Sequence, residues 1–320
     1  MNTEIITGQF AQDVDAGLSA EKKFIPSKYF YDAAGDAIFQ KIMRLPEYYL
    51  TASEFEIFQQ QSADIIQSAA LRDNVQLIEL GAGDGTKTKL LLKEMMKRGI
   101  DFTYYPIDIS EHALDDLKKN MKKELGEGLR MEPVVGEYFE ALRSEHFSRG
   151  RQKFILFLGS TIGNFDEASG GAFLKKLGAT MQAGDGLLVG FDLQKDPQVI
   201  LNAYNDAAGI TRSFNMNLLL RMNRELQADF DIGQFAHYPL YDPETGAAKS
   251  YLISKKRQAV YIGALDKSFH FEAGEYIYTE ISRKYRRADI ERYAQMARFG
   301  IKKEFRDTKN YFTDVLFSVG

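Results

Sequence analysis

Residues 75–87, Val75-Gln-Leu-Ile-Glu-Leu-Gly-Ala-Gly-Asp-Gly-Thr-Lys87, constrain the fold of this chain more than any other stretch. The largely apolar run from Val75 to Leu80 predicts a buried strand. It carries Glu79 near its end and leads into Gly81-x-Gly83-x-Gly85, with a helical pattern straight after. Glycines at such a turn let the backbone bend sharply and come close to a ligand, as in nucleotide-binding βα units. A dinucleotide fingerprint would place its third glycine at position 86, which is Thr86 here.

Strand and helix alternate from 75 to 193. Leu91, Leu92, Met95 and Met96 share a helical face, with Gly99 placed as a C-cap. A strand is predicted over 102–107, ending at Asp108. Ser110 then caps a helix that turns Leu114, Leu117, Met121 and Leu125 inward. Further strands are predicted over 131–135, 154–158 and 187–191, the second almost wholly apolar and therefore central in a parallel sheet. This rhythm predicts an α/β fold, a Rossmann-like sheet with helices on both faces.

After Pro197 the pattern changes. Helices over 197–208 and 213–228 precede strand-like runs over 249–254, 258–262 and 268–282, and the turn Asp242-Pro-Glu-Thr-Gly246 has hairpin chemistry. A helix over 287–297 leads to two runs, 301–306 and 311–319, that read as an antiparallel hairpin closing the first sheet. Residues 61–195 with 286–320 thus form a ligand-binding domain. Residues 1–60 with 196–285 form an inserted α+β domain facing the substrate.

Composition narrows the chemistry. The chain has 320 residues, a net charge of −4 and no cysteine. It offers no basic field for nucleic acid, no disulfide and no thiol nucleophile. His112, His146, His237 and His270 lack metal-ligand spacing, so no metal is expected and solvated or capping roles are assigned to them. With no apolar signal core and no run approaching ~18 apolar residues, a cytoplasmic soluble protein without membrane contact is expected, and a monomer is the separate expectation for its assembly.

Several residues carry candidate chemistry. Asp108, at a strand's carboxyl end, can accept from both hydroxyls of a ribose, and Glu137 stands where a base is commonly read. Lys87 lies in the first turn of a helix, where a cation opposes the dipole, and it reads either as a surface lysine or as a carboxylate ligand. Gly159-Ser-Thr-Ile-Gly-Asn164 follows the fourth strand, at the sheet edge where ligands bind, and Asn164 offers a donor and an acceptor. Tyr48 and Tyr49 precede a capping box of Thr51 and Glu54. Glu280 and Ser282, two apart on a strand, share a face. They either grip a polar ring or lie on a wet surface.

The glycine turn resembles the first motif of S-adenosylmethionine (AdoMet) methyltransferases, whose cofactor has no pyrophosphate. The chain more widely resembles the histidine Nα-methyltransferases of ergothioneine biosynthesis. The matching pieces are Tyr29-Phe-Tyr-Asp-Ala-Ala-Gly35, Leu45-Pro-Glu-Tyr-Tyr49, Glu79-Leu-Gly-Ala-Gly83 with Lys87, Phe157-Leu-Gly-Ser-Thr-Ile-Gly-Asn164, Ala203-Tyr204, Asn223-Arg-Glu-Leu226 with Ala228-Asp-Phe230, and Thr279-Glu-Ile-Ser282. The resemblance implies a class I methyltransferase fold with a substrate-recognition domain, and trimethylation of the α-amino group of L-histidine to hercynine.

It also implies roles. Gly81, Gly83, Lys87, Asp108, Glu137 and Tyr138 would bind AdoMet. Asn164 and Tyr204 would hold the substrate carboxylate, Gly159 and Thr161 would line the amine side, and Tyr48, Glu280 and Ser282 would recognise the imidazole. No catalytic side chain is required beyond this positioning. Two departures stand out: the adenine position, usually Asp, is Glu137, and the strand near Ser250 lacks a bulky Met that often lies beside the imidazole. The rivals are a methyltransferase of the same fold acting on another amino acid or small amine, a nicotinamide-dependent oxidoreductase, and a catalytically silent AdoMet-binding protein.

Overall fold

The structure is a computed structural model and describes residues 3–143, 147 and 150–319. Twelve strands follow one another among the described residues. The first five are β1 (Val75–Leu80), β2 (Phe102–Asp108), β3 (Val134–Val135), β4 (Lys153–Phe157) and β5 (Gly186–Asp192). Then come β6 (Phe235–Asp242), β7 (Ala247–Ser254), β8 (Gln258–Ile262), β9 (Lys267–Phe271) and β10 (Tyr276–Arg283), and last β11 (Phe299–Arg306) and β12 (Phe312–Val319).

The chain divides into two compact units. One joins Met1–Tyr49 to Lys195–Arg283, and the other joins Leu50–Gln194 to Lys284–Gly320. A boundary at 60/61 falls inside one continuous helix, Tyr49–Ala69, because the turn at 45–49 starts that helix earlier than Thr51.

The larger unit holds a seven-stranded sheet in the order β11-β12-β5-β4-β1-β2-β3. β1 to β5 pair in parallel, whereas β12 runs antiparallel to β5 and β11 to β12, so the closing hairpin is present and the sheet is Rossmann-like. β1, β4 and β5 are buried throughout because apolar clusters cover both faces. The third strand is shorter than expected: Val134–Val135 pair with β2, while Met131 makes only an isolated bridge to Tyr104. Pro133 between them has no N–H to extend the ladder.

The other unit is built on the three-stranded sheet β10-β7-β6 and the pair β8-β9, with the helix Ile210–Leu226 largely buried in its core. The run expected over 268–282 is two strands. It breaks at Gly274, which has φ +86° and donates its N–H to Ser254 O at 2.8 Å. No helix among the described residues is long and apolar enough to cross a membrane.

Candidate functional site

The glycine turn leaves β1 with three left-handed residues, Gly81 at φ +74°, Gly83 at +54° and Gly85 at +67°. Any side chain would be strained there. A methyl on Gly81 would sit 2.8 Å from the Tyr138 hydroxyl, and one on Gly85 would collide with Leu117 and Met121. Asp108, at the end of β2, accepts backbone N–H groups of Gly83, Ile109 and Ser110, the last at 3.0 Å. Burial pushes its carboxyl up despite these bonds, and burial followed by Asp108 and Glu137 raises the Tyr138 phenol. Gly81, Gly83, Asp108 and Tyr138 are therefore one group, with exposed Glu137 preceding Tyr138 at a helix N-terminus.

A second group lies beyond β4. Gly159 turns at φ +71°, and Ser160 follows in the same left-handed region at +54°. The segment is anchored. Ser160 Oγ accepts from Asp192 N at 3.0 Å, Thr161 Oγ1 donates to Leu158 O at 2.8 Å, and Tyr285 donates its hydroxyl to Ile162 O at 3.0 Å. Asn164 ends this turn, exposed. Its amide makes no hydrogen bond among the described residues, which leaves both its donor and its acceptor for a ligand.

Lys87 stands beside this turn, with Nζ 3.7 Å from where a Cβ of Gly159 would lie. It occupies the N-cap position of the helix Thr88–Lys97 rather than its first turn, and it pairs with Glu54. Glu54 does not close a capping box with Thr51. Its carboxylate is 1% exposed and also accepts Gly159 N–H at 2.8 and 3.1 Å. Sequence reading missed this role because Glu54 satisfied a helix motif by spacing alone. Asp314 was missed as well, although an acid inside the apolar run of β12 was a usable signal.

The remaining predicted residues belong to the unit carrying β10. Tyr48 is half-buried, its ring 6.3 Å from that of Phe39, and Tyr204 is buried at the end of the helix Pro197–Tyr204. Glu280 lies opposite Ser250, and Ser282 opposite Ala248. The register slips between Tyr278 and Glu280, so Thr279 is an extra residue whose hydroxyl lies within hydrogen-bond distance of two acceptors, Asn215 Oδ1 on the helix Ile210–Leu226 (2.8 Å) and Ser250 O in the sheet (3.0 Å). Ser250 Oγ is 3.4 Å from Glu280 Oε2, so a small hydroxyl stands where a bulky Met was the comparison. Glu280 is half-buried and Ser282 is buried, which excludes a fully wet strand face.

Among the histidines, His112 and His270 are exposed, and His146 lies outside the described residues. His237 is neither solvated nor capping. Among the described residues its Nε2 is buried without a partner, and burial holds the ring's pKa down at about 4, so it stays neutral.

The chain matches, over residues 10–319, the family described as histidine-specific methyltransferase, SAM-dependent. It is similar to the histidine N-alpha-methyltransferase of Mycolicibacterium smegmatis, 39% identical over 91% of this chain and 88% of that one. The histidine N-alpha-methyltransferase of Mycobacterium tuberculosis is also 39% identical, over 86% of this chain and 84% of its own length. Ergothioneine biosynthesis protein 1 of Schizosaccharomyces pombe is 29% identical over 91% of this chain, which spans 38% of that longer protein. With a family match covering nearly its whole length, the chain belongs to the histidine-specific, S-adenosylmethionine-dependent methyltransferases.

Proposed function

We propose that the chain methylates the α-amino nitrogen of L-histidine three times, giving the betaine hercynine as the first step of ergothioneine biosynthesis. In this reading, Leu50–Gln194 with Lys284–Gly320 binds AdoMet, and Met1–Tyr49 with Lys195–Arg283 recognises the amino acid. The chain acts as a cytoplasmic monomer on small molecules rather than on nucleic acid. The observation that carries the choice of substrate is Glu280, a half-buried carboxylate whose strand neighbour Ser250 brings a hydroxyl to 3.4 Å. Such a pair suits the ring N–H of an imidazole and leaves an unmatched polar group against a hydrocarbon ring.

The residues at the sheet edge fit AdoMet. The positive-φ turn exposes the backbone at Gly81 and Gly83, while Gly85 lets the turn pack closely on Leu117 and Met121. When bound, AdoMet supplies a methyl group already activated on a sulfonium. Asp108 takes the ribose hydroxyls, Glu137 and Tyr138 the adenine, and Lys87 the methionine carboxylate. Asn164 and Tyr204 hold the histidine carboxylate, Gly159 and Thr161 line the amine, and Tyr48, Glu280 and Ser282 hold the imidazole. Alignment of this kind can supply roughly 7–11 kcal/mol of barrier lowering. The amine must be neutral to attack, and with no side-chain base assigned its proton goes to solvent.

The test is incubation of L-histidine with AdoMet, reading products by mass. Successive gains of one, two and three methyl groups are expected. A folded, AdoMet-binding protein that leaves histidine unmodified would overturn the reading. Histamine keeps the imidazole and amine but lacks the carboxylate, so it should be a very poor substrate. Comparable kcat/KM for histamine and histidine would remove Asn164 and Tyr204 from their assigned role.

A further inference from the structure

Behind the turn at Gly159 lies more buried acid than the methyl transfer uses. Lys87 faces Glu54 from the helix Tyr49–Ala69, Asp314 from β12 and Glu79 from β1. Glu54 spans two segments at once, pairing with Lys87 and accepting Gly159 N–H. The space for its carboxylate exists because residue 190 is glycine: a Cβ there would fall 2.5 Å from Glu54 Oε1. Gly190 is in turn the β-partner of Asp314. Asp314 is wholly buried, and among the described residues no N–H group donates to either of its oxygens. It faces Glu54, and two carboxyls in contact require one of them to hold a proton.

We propose that Glu54 is a positioning residue of the cofactor site: it keeps Lys87 an ammonium and fixes the Gly159 amide, while Asp314 stands behind it as a neutral acid. The inference rests on the reading that Lys87 meets the cofactor's carboxylate. Removing an ammonium from water favours its neutral form, and an adjacent carboxylate reverses that preference. Burial does oppose the charge on Lys87, but the acids beside it, Glu54 first, outweigh it, so its pKa lies above the ordinary lysine value. Asp314 moves the other way from an ordinary acid. Burial and the neighbouring Glu54 hold it protonated, so Glu54 and Lys87 form a balanced pair without a second adjacent anion to repel a carboxylate. Glu79, raised to about 7 chiefly by burial, accepts from Thr88 and Tyr104 on the far side of the same cluster.

The experiment measures AdoMet Kd by calorimetry between about pH 6.5 and 9.5, as the ratio of variant to wild type at each pH, so that titration of the cofactor itself cancels. For Glu54→Gln the ratio should be near its minimum at the acid end and rise to about tenfold or more at the alkaline end, as the unsupported Lys87 loses its proton. Glu54→Asp should restore most of the affinity, and Asp314→Asn, which keeps a donor toward Glu54, should give a flat ratio near one. A Glu54→Gln ratio that is raised equally at every pH assigns Glu54 a merely structural role and overturns the proposal. A ratio of one throughout overturns it as well.

Lys87→Met separates the two readings. If that variant binds AdoMet as wild type does, the assignment of Lys87 fails; if it binds weakly while Glu54→Gln does not, only the positioning proposal fails. Should Glu54→Gln not fold, the Lys87 Cε resonance of the unsubstituted protein decides. Protonation persisting past about pH 10 supports the proposal, and titration below about pH 9 overturns it.

Discussion

Two lysine–carboxylate pairs lie in the larger unit, Leu50–Gln194 with Lys284–Gly320, and they differ in what surrounds them. Lys284 and Asp192 lie 2.8 Å apart, and both side chains are 0% exposed. Lys87 keeps 22% of its side chain exposed while Glu54 keeps 1%. The first pair is sealed, so its charges serve only the protein. The second pairs an accessible ammonium with a hidden carboxylate and has further acids behind it, which is the arrangement of a group held ready for a partner. Burial alone therefore does not separate a structural ion pair from a functional one. What differs between these two is the asymmetry of exposure within the pair.

The comparison breaks most visibly at Asp192. Asp192→Ala removes the carboxylate from a fully buried ion pair, which should cost about 3–5 kcal/mol of stability. Denaturant unfolding checks this, and a loss below about 1 kcal/mol would mean that Lys284 is supported by other groups.

A pH scan sharpens the comparison from the other side. Because burial raises Glu79 from 4.5 to about 7, the folded protein holds that proton more tightly than the unfolded chain. The associated stability is fully present below about pH 4.5 and is lost as pH rises through about 7, by roughly 3 kcal/mol. Glu79→Gln should flatten that part of the stability profile. An unchanged slope would show that the cluster's proton resides on another group.

Smaller effects are expected at the ligand positions. Asp108→Ala should weaken AdoMet by roughly 1.5–3 kcal/mol through lost charge-assisted hydrogen bonds, and calorimetry showing wild-type affinity would remove Asp108 from the site. Glu280→Ala should lower kcat/KM for histidine relative to phenylalanine and tryptophan by about tenfold, leaving AdoMet affinity intact. Ser250 and Ser282 still favour a polar ring, so complete loss of discrimination is not expected. An unchanged ratio would place histidine selection elsewhere.

The glycine turn, Asp108 and the closing hairpin were legible because each rests on local chemistry. A positive φ demands glycine, a strand end exposes its acid, and alternating apolar runs mark strands. Roles set by distant neighbours were not legible. Glu54 fitted a helix capping pattern with Thr51, and only the placement of Lys87 and Gly159 against it reveals its work. Thr279 illustrates the same limit within a strand. Spacing predicts that Glu280 and Ser282 share a face, but not the extra residue that turns Thr279 inward to Asn215. His237 was misread because composition says nothing about whether a ring nitrogen meets water.

The position of β12 has a consequence for how the protein is made. It lies between β5 and β11 in the sheet, yet all of residues 193–311 separate it from β5 along the chain. During synthesis β5 therefore emerges with one side unpaired and waits while residues 193–311 are produced. An open apolar strand edge of that kind invites pairing with other chains. Any shortened version ending before Phe312 would keep the glycine turn and Asp108 but lose Asp314 and the covering strand, and it should accumulate as aggregate rather than as a free-standing AdoMet-binding fragment.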